Sequence, residues 1–159
     1  MCYRFHHNFV VANYHAQEAV DTDDGSSYLT VDSNVLAYGE NGLKAVFGGH
    51  HLHHHTNLYL FVGTCFDFTA FKGFASSFIN NTCLFRIGYY SDCNLNPAFG
   101  HRVHGNHVAS RDGTLDDVCG EPFAEWQRRG HDVHTTLGRW PVAVEVAAQA
   151  ERLVLAGLR

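Results

Sequence analysis

The feature that most limits the fold of this chain is a change of composition near residue 110. Before it, the sequence is rich in Phe, Tyr, Asn, Thr and Gly; after it, Ala, Val, Glu and Arg dominate. The first mixture favours strands and turns, and the second favours helices. We therefore predict one α+β domain: a β-rich region over 1–107, folded as a small sheet or irregular barrel, and a helical tail over 108–159.

The β-rich region contains several short runs of branched and aromatic residues. The strand candidates are 27–31, 35–38, 43–47, 57–62, 65–71 and 83–90. Asn41-Gly42 tolerates the positive φ angles of a tight turn, so the second and third runs are predicted to form a hairpin. No internal repeat is apparent between the runs.

Two stretches of the tail carry helix signals. The stretches 122–129 and 141–156 each begin with Pro at a first-turn position and are followed by Gly130 and Gly157. The second also has an apolar stripe at helical spacing, which predicts a helix docked on a core. Turn signals, strand patterns and polar positions agree only in patches along the chain, so we expect loosely determined packing.

Charge and hydropathy exclude two classes of partner. The chain has 16 acidic and 11 basic residues, with a formal net charge of -5. This is not the basic footprint of a nucleic-acid-binding protein. No segment has the ~20 apolar residues that span a bilayer, and the N-terminus lacks the layout of a signal peptide. We expect a soluble, cytoplasmic protein whose five irregularly spaced Cys are reduced thiols.

The most conspicuous local feature is a histidine cluster, which comprises His50, His51, His53, His54 and His55. In an extended chain, alternation places His51, His53 and His55 on one face. Two imidazoles two residues apart can share one Zn, Ni or Cu ion, with a third ligand from elsewhere. The alternative is a solvated loop that binds metal adventitiously, as any His tract can.

The same segment resembles a motif of the cupin family. His51-Leu52-His53, followed by 59–63, is similar to the first cupin motif, and 96–103 is similar to the second. The resemblance implies a small β-barrel in which His51, His53 and His101 (or His104) hold a divalent metal. The family's Glu has no counterpart, since Thr56 and Asn57 stand near its place.

The residue balance points to a different kind of origin. The chain has 12 Phe and 13 His but one Met and two Lys. Read codon for codon on the opposite strand, Phe becomes Lys or Glu, and His becomes Met or Val, so this balance is what an antisense frame of an ordinary gene would give. No phosphate-binding loop, serine-nucleophile elbow or zinc-protease motif is present.

These observations support no specific biochemical function, and an enzyme is not favoured. The leading hypothesis is the product of a dubious reading frame without a selected function, for which an antisense frame is one origin. Under this hypothesis no cofactor is expected, and no partner can be named. The alternatives are a protein that binds Zn or another divalent transition metal at a cupin-like site, with His51, His53, His101 and His104 as candidate ligands, and a small structural or interaction protein.

Overall fold

The computed structural model describes residues 3–11, 18–68, 71–90 and 99–157, with the side chain of Phe68 excepted. The strands of this part are β1 (Tyr3–His6), β2 (Phe9–Val11), β3 (Glu18–Asp21), β4 (Leu29–Asp32), β5 (Val35–Ala37), β6 (Asn41–Ala45), β7 (His53–His55), β8 (Leu58–Phe68), β9 (Ser77–Ile79), β10 (Thr82–Tyr90), β11 (Arg102–His104), β12 (His107–Ser110) and β13 (Thr136–Arg139). The helices are α1 (Phe123–Arg128) and α2 (Ala143–Ala156).

The strands form two sheets in which every described pairing between strands is parallel. Sheet A has the order β1-β4-β7-β9-β11. Sheet B has the order β13-β12-β10-β8-β5-β2, with β3 and β6 extending beside β8. Each strand pairs with the equivalent strand of the next coil. In sheet B the register runs Phe9, Val35, Leu58, Thr82 and His107, a step of 23 to 26 residues. The chain therefore winds as a β-solenoid.

This architecture corrects the predicted fold class. The α+β arrangement of a small sheet or irregular barrel with a helical tail is wrong, and the cupin-like barrel is not formed. The hairpin between 35–38 and 43–47 is also wrong, because β5 and β6 both pair with β8 and run parallel to it. The predicted runs coincide with only five of the thirteen described strands, which are β4, β5, β6, β8 and β10. Paired strands lie about one coil apart in the sequence instead of being joined by a short turn.

A repeat that the sequence analysis missed explains the winding. Each coil turns from sheet A into sheet B through a residue with positive φ and then a polar residue. The positive-φ residues are His7, Ser33, Thr56, Asn80, Gly105 and His134. The residues that follow them are Asn8, Asn34, Asn57, Asn81, Asn106 and Thr135. The repeat is hard to see because only the Asn is shared, and the residue before it varies.

The five Asn side chains stack along the solenoid as a ladder. The Oδ1 atom of each later Asn accepts the backbone N–H of the Asn one coil earlier, at 2.9 to 3.1 Å, and Thr135 Oγ1 completes the row. From Asn34 onward, Nδ2 of each Asn donates to a carbonyl of the preceding coil in sheet A, as Asn57 does to Val31 O at 2.8 Å. Buried backbone groups at a corner need such partners because water cannot reach them.

The interior is filled by alternate residues of the strands. Leu36, Tyr59, Cys83 and Val108 point inward from sheet B and belong to the main core. Cys65 and Cys83 form a disulfide inside this core. Cys119 is also disulfide-bonded. The prediction of reduced thiols is wrong for these three residues, whereas Cys2 and Cys93 lie outside the described residues.

Helix α2 packs on the outside of sheet B. The outward residues of four successive strands form a second apolar cluster with the buried side chain of Val146. These strand residues are Val35, Ala37, Leu58, Leu60, Leu84 and Ala109. A helix of this length extends about 21 Å, close to the ~24 Å spanned by six strands. The His7 ring of the first coil lies against Gly157 and leaves no room for a Cβ there.

Two helices are thus present where they were predicted, and the apolar stripe of α2 docks as expected. Neither helix of the described part is long and apolar enough to cross a membrane.

Candidate functional site

The last coil departs from the regular winding, and this departure creates a cleft. Thr136 follows its register partner His107 by 29 residues, a longer step than in the other coils. The extra length carries α1 and the segment 129–134. No described strand continues sheet A beyond β11, and residues 130–133 lie there instead, held by a hydrogen bond from Gly105 N to Val133 O at 2.9 Å. The space between β11 and this segment is the end cleft, with a volume of about 290 Å³.

Aromatic side chains and a buried carboxylate form one side of the end cleft. Tyr90, Trp126 and Asp132 line it. Asp132 is 1% exposed and has a positive φ of 47°. Its Oδ1 accepts from Tyr89 Oη at 2.7 Å and from Thr135 Oγ1 at 3.3 Å. Its Oδ2 accepts from Trp126 Nε1 at 2.9 Å and from Tyr90 Oη. Four donors therefore hold this carboxylate in place.

Burial shifts the pKa values of these groups in one direction. It raises the pKa of Asp132 above its ordinary value, and the hydrogen bonds from Tyr89, Tyr90 and Trp126 oppose the shift. Burial and the neighbouring carboxylate both raise the pKa values of the Tyr89 and Tyr90 phenols. Both phenols therefore stay protonated and donate to Asp132. The carboxylate has a structural role, because its hydrogen bonds connect β10, α1 and the corner at Thr135.

Cationic and imidazole side chains form the other side of the end cleft. His101, Arg102 and His104 line it from β11 and the residue before it, and His131 lines it from the opposite segment. His131 stacks on Trp126 with ring centroids 3.9 Å apart. His101 Nδ1 accepts the backbone N–H of Ser76 at 3.1 Å, which places the proton of the neutral ring on Nε2. Burial lowers the pKa of His101.

The other predicted ligands lie outside the end cleft. His53 lies on β7, where its Nδ1 contacts Ser77 Oγ at 2.9 Å. Its strand is two strands away from that of Arg102, or about 10 Å across the sheet. Burial, assisted by the Arg102 charge, lowers the pKa of His53. His51 precedes β7 with a positive φ of 53°, and its ring stacks on Tyr28 at 4.9 Å.

The histidine cluster divides between the surface and the core. His53 and His55 flank His54 on β7, and His54 points inward and is fully buried. Its Nδ1 contacts Tyr59 Oη at 2.7 Å. Burial lowers the pKa of His54 to about 3, so its imidazole is neutral in the folded protein.

The predicted metal ligands are therefore only partly brought together. His101 and His104 share the end cleft, while His51 and His53 lie elsewhere. Within residues 3–11, 18–68, 71–90 and 99–157, no group of three or more His, Cys, Asp or Glu side chains is arranged to hold a metal ion. Residues 96–98 of the second cupin-like motif lie outside the described part. The metal site stays a prediction.

Sequence reasoning missed Tyr90, Trp126 and Asp132. The Asn repeat is the signal that could have found them. The interval from Asn106 to the next corner residue, Thr135, is longer than the intervals between the earlier Asn residues. An insertion in a coil of a solenoid indicates a candidate ligand site, because inserted segments of such folds form loops on one face, which is often the binding face.

No protein-family model, curated protein or solved structure matches this chain. Its function is therefore argued from the end cleft itself.

Proposed function

We propose that this protein is a binding module that holds a small organic carboxylate in the end cleft. The observation that carries the proposal is the convergence of Arg102, His104 and His131 beside the Tyr90–Trp126 wall. The guanidinium group presents a rigid fork of donors that matches a carboxylate, and the aromatic wall accepts an apolar body. A small number of polar groups on an apolar wall is typical of small-molecule sites.

The buried carboxylate of Asp132 is compatible with an anionic ligand. Its two oxygens already accept from four donors and it is 1% exposed, so it offers no acceptor to a ligand and its charge is partly compensated. The exposed charge on β11 at this site is that of Arg102. Among the described residues that line the cleft, a cation would find no exposed carboxylate.

The Asn ladder favours a selected protein over the spurious reading frame. Five Asn side chains would have to recur at a step of 23 to 26 residues by chance, each behind a positive-φ corner and each bonded to the next. Agreement between corner geometry, buried polar groups and strand register is what selection for one fold produces. This argument bears on the fold, and the ligand is a separate proposal.

The test uses the ¹⁵N-labelled chain and two matched probes, benzoate and benzyl alcohol. Trp126 lines the end cleft, whereas Trp140 packs on Phe61, so the two indole N–H resonances serve as reporter and internal control. We expect benzoate to shift the Trp126 signal saturably and benzyl alcohol to bind at least tenfold more weakly. Tenfold corresponds to about 1.4 kcal/mol, the lower end for a hydrogen bond to a charged group.

Two variants separate a specific site from general attraction. Arg102→Gln should weaken benzoate binding about tenfold, and Arg152→Gln, at an exposed position on α2, should leave it unchanged. Equal effects of the two variants, or equal binding of the two probes, would reject the carboxylate site.

A divalent transition metal such as Zn is the second candidate ligand. It is favoured by the imidazoles of His104 and His131, which line the same cleft, whereas His101 Nδ1 already accepts from Ser76 N–H. Titration with zinc chloride should then give one saturable site that the His104→Ala/His131→Ala double variant removes. Binding that persists in this variant, or that never saturates, would exclude a zinc site in the end cleft.

A further inference from the structure

A second irregularity of the last coil is that it covers only part of β10, the strand of the preceding coil. This strand has nine residues and bends, and β12 pairs only with its first part, at Thr82, Cys83 and Leu84. From Phe85 to Tyr90 the side of β10 that faces away from β8 has no strand partner in the described part of the chain. The next coil should supply one, because each earlier coil does so at this position.

The chain turns away before it can form that strand. Ser110 Oγ donates to Asp112 Oδ1 at 2.9 Å, and the Gly113 backbone N–H donates to Ser110 Oγ at 3.0 Å. Thr114 donates to Asp112 Oδ1 through both N and Oγ1. These bonds close a tight turn directly after β12. In the described part of the chain, residues 110–120 then form no strand pairing with β10, and the edge groove between them has a volume of about 650 Å³.

The charges in the edge groove are mainly acidic. Asp112, Asp116 and Asp117 line it and are exposed. The two basic residues in the lining are Arg86 and Arg111, and Arg86 pairs with Glu40 outside the groove at 3.3 Å. On β10 itself, Ile87 is 70% exposed. Within the described part of the chain, the groove thus combines a strand edge that has no strand partner, an exposed apolar side chain, and three aspartates against two arginines.

We propose that the edge groove binds an extended, basic peptide segment of a partner protein, which adds a parallel strand to β10 beside Phe85–Tyr90. An unpaired edge offers a row of N–H and C=O groups that an extended chain can match without regard to its sequence. The carboxylates select Lys or Arg, and Ile87 selects an apolar residue between them. Six strand residues span about 20 Å, so the segment is six or seven residues long.

Tyr90 lines both the end cleft and the edge groove, but Arg102, His104 and His131 line only the cleft, and the three aspartates line only the groove. The two proposals therefore rest on different residues, and either can fail alone. The probe is a fluorescein-labelled peptide of alternating Lys and Val, seven residues long, measured by fluorescence anisotropy at low salt. Its control has the same length and the same Lys residues but carries Pro in place of two Val residues, which removes two N–H groups and prevents strand pairing.

We expect micromolar binding of the Lys/Val peptide, at least tenfold weaker binding of the Pro peptide, and slower hydrogen exchange of the amides of residues 85–90 in the complex. Asp116→Asn/Asp117→Asn should weaken binding at least fivefold. The matched double variant Asp21→Asn/Asp24→Asn removes the same charge at two exposed positions remote from the groove and should have no effect.

Three results would overturn the proposal. Equal binding of the Pro peptide would show that charge attraction alone, without strand pairing, accounts for the interaction. Unchanged hydrogen exchange at 85–90 would place the peptide elsewhere. A concentration-dependent dimer that protects these same amides without peptide would show that a second copy of the chain is the occupant.

Discussion

Replacing Asn57 by Ala tests whether the ladder stabilises the solenoid. Asn57 is 2% exposed and occupies the middle of the ladder. Its Oδ1 accepts from Asn34 N at 3.1 Å and from Asn34 Nδ2 at 3.0 Å. Its Nδ2 donates to Val31 O at 2.8 Å and to Asn81 Oδ1 at 3.1 Å. Ala removes all four bonds at a place that water does not reach.

The cost follows from what is left behind. The Asn34 amide becomes a buried donor without an acceptor, which costs about 1–3 kcal/mol. The bond to Val31 O and the amide contacts along the ladder add about 1 kcal/mol. We therefore expect Asn57→Ala to lower the free energy of unfolding by about 3 kcal/mol, a large part of the 5–15 kcal/mol typical of a folded domain.

Asn8→Ala is the matched control, because Asn8 stands at the open end of the same ladder. Its Nδ2 bonds to His6 O at 2.9 Å and to Asn34 Oδ1 at 3.0 Å, and no described backbone N–H depends on its Oδ1. The same substitution should therefore cost about 1 kcal/mol or less. Asn8 is also less buried than Asn57 and makes fewer hydrogen bonds, but only Asn57→Ala leaves a buried backbone donor without its acceptor.

Urea unfolding followed by circular dichroism measures both variants. With a slope of about 2 kcal/mol/M, Asn57→Ala should lower the urea midpoint by about 1.5 M and Asn8→Ala by at most about 0.5 M. Equal midpoints for the two variants, with the slope unchanged, would refute the idea that the ladder satisfies buried backbone groups.

Three further predictions concern other parts of the molecule. Val146→Ala removes two buried methyl groups between α2 and sheet B and should lower the free energy of unfolding in urea by about 1.5 kcal/mol. The control Val144→Ala, at a 73% exposed position, should change it by less than about 0.5 kcal/mol. Burial holds the pKa of His54 at about 3, so near pH 6.5 the unfolded chain binds a proton that the folded protein does not bind. The stabilisation is therefore complete above pH 6.5, and the free energy of unfolding should fall by about 2 kcal/mol between pH 7 and pH 5. Unfolding curves of His54→Leu over the same pH range should lack this fall, and a pH profile identical to that of the unsubstituted protein would contradict the prediction. Asp132→Ala leaves Tyr89, Tyr90 and Trp126 without their acceptor and should cost about 3–5 kcal/mol by the same measurement, together with a shift of the Trp126 indole N–H signal; a loss below 1 kcal/mol would show that the carboxylate is dispensable.

Local signals predicted both helices and some strands of this fold but not the pairing of the strands. Proline entries, glycine ends and an apolar stripe gave both helices, whereas branched and aromatic runs gave five of the thirteen described strands. The pairing was wrong because Asn41-Gly42, read as a hairpin turn, lies within β6, a strand parallel to β8. Parallel pairing between coils leaves no local signature except the corner repeat, and that repeat shares only the Asn.

The site was predictable only in part for a related reason. His101 and His104 could be selected from the sequence as ligand candidates, and the structure places both in the end cleft. Their neighbours Trp126, His131 and Asp132 come from an insertion whose path depends on hydrogen bonds to Tyr89 and Tyr90 of the preceding coil. Side chains brought together by such long-range contacts carry no spacing that a single sequence can show.

Helix α2 has a consequence for how this protein unfolds. A solenoid without such a helix is a one-dimensional stack, whose terminal coils can detach singly while the others stay folded. Here one helix contacts β5, β8, β10 and β12 through a common cluster, and its end meets the turn of the first coil at His7. Detaching the first coil would remove the His7 contact from the end of the helix, and detaching the coil of β12 would remove Ala109 from the cluster, so loss of a coil at either end disturbs the same helix. Because of this helix, we expect the solenoid to unfold in a single cooperative transition and not coil by coil. In folding, the helix can dock only after the coils that form its binding surface have stacked.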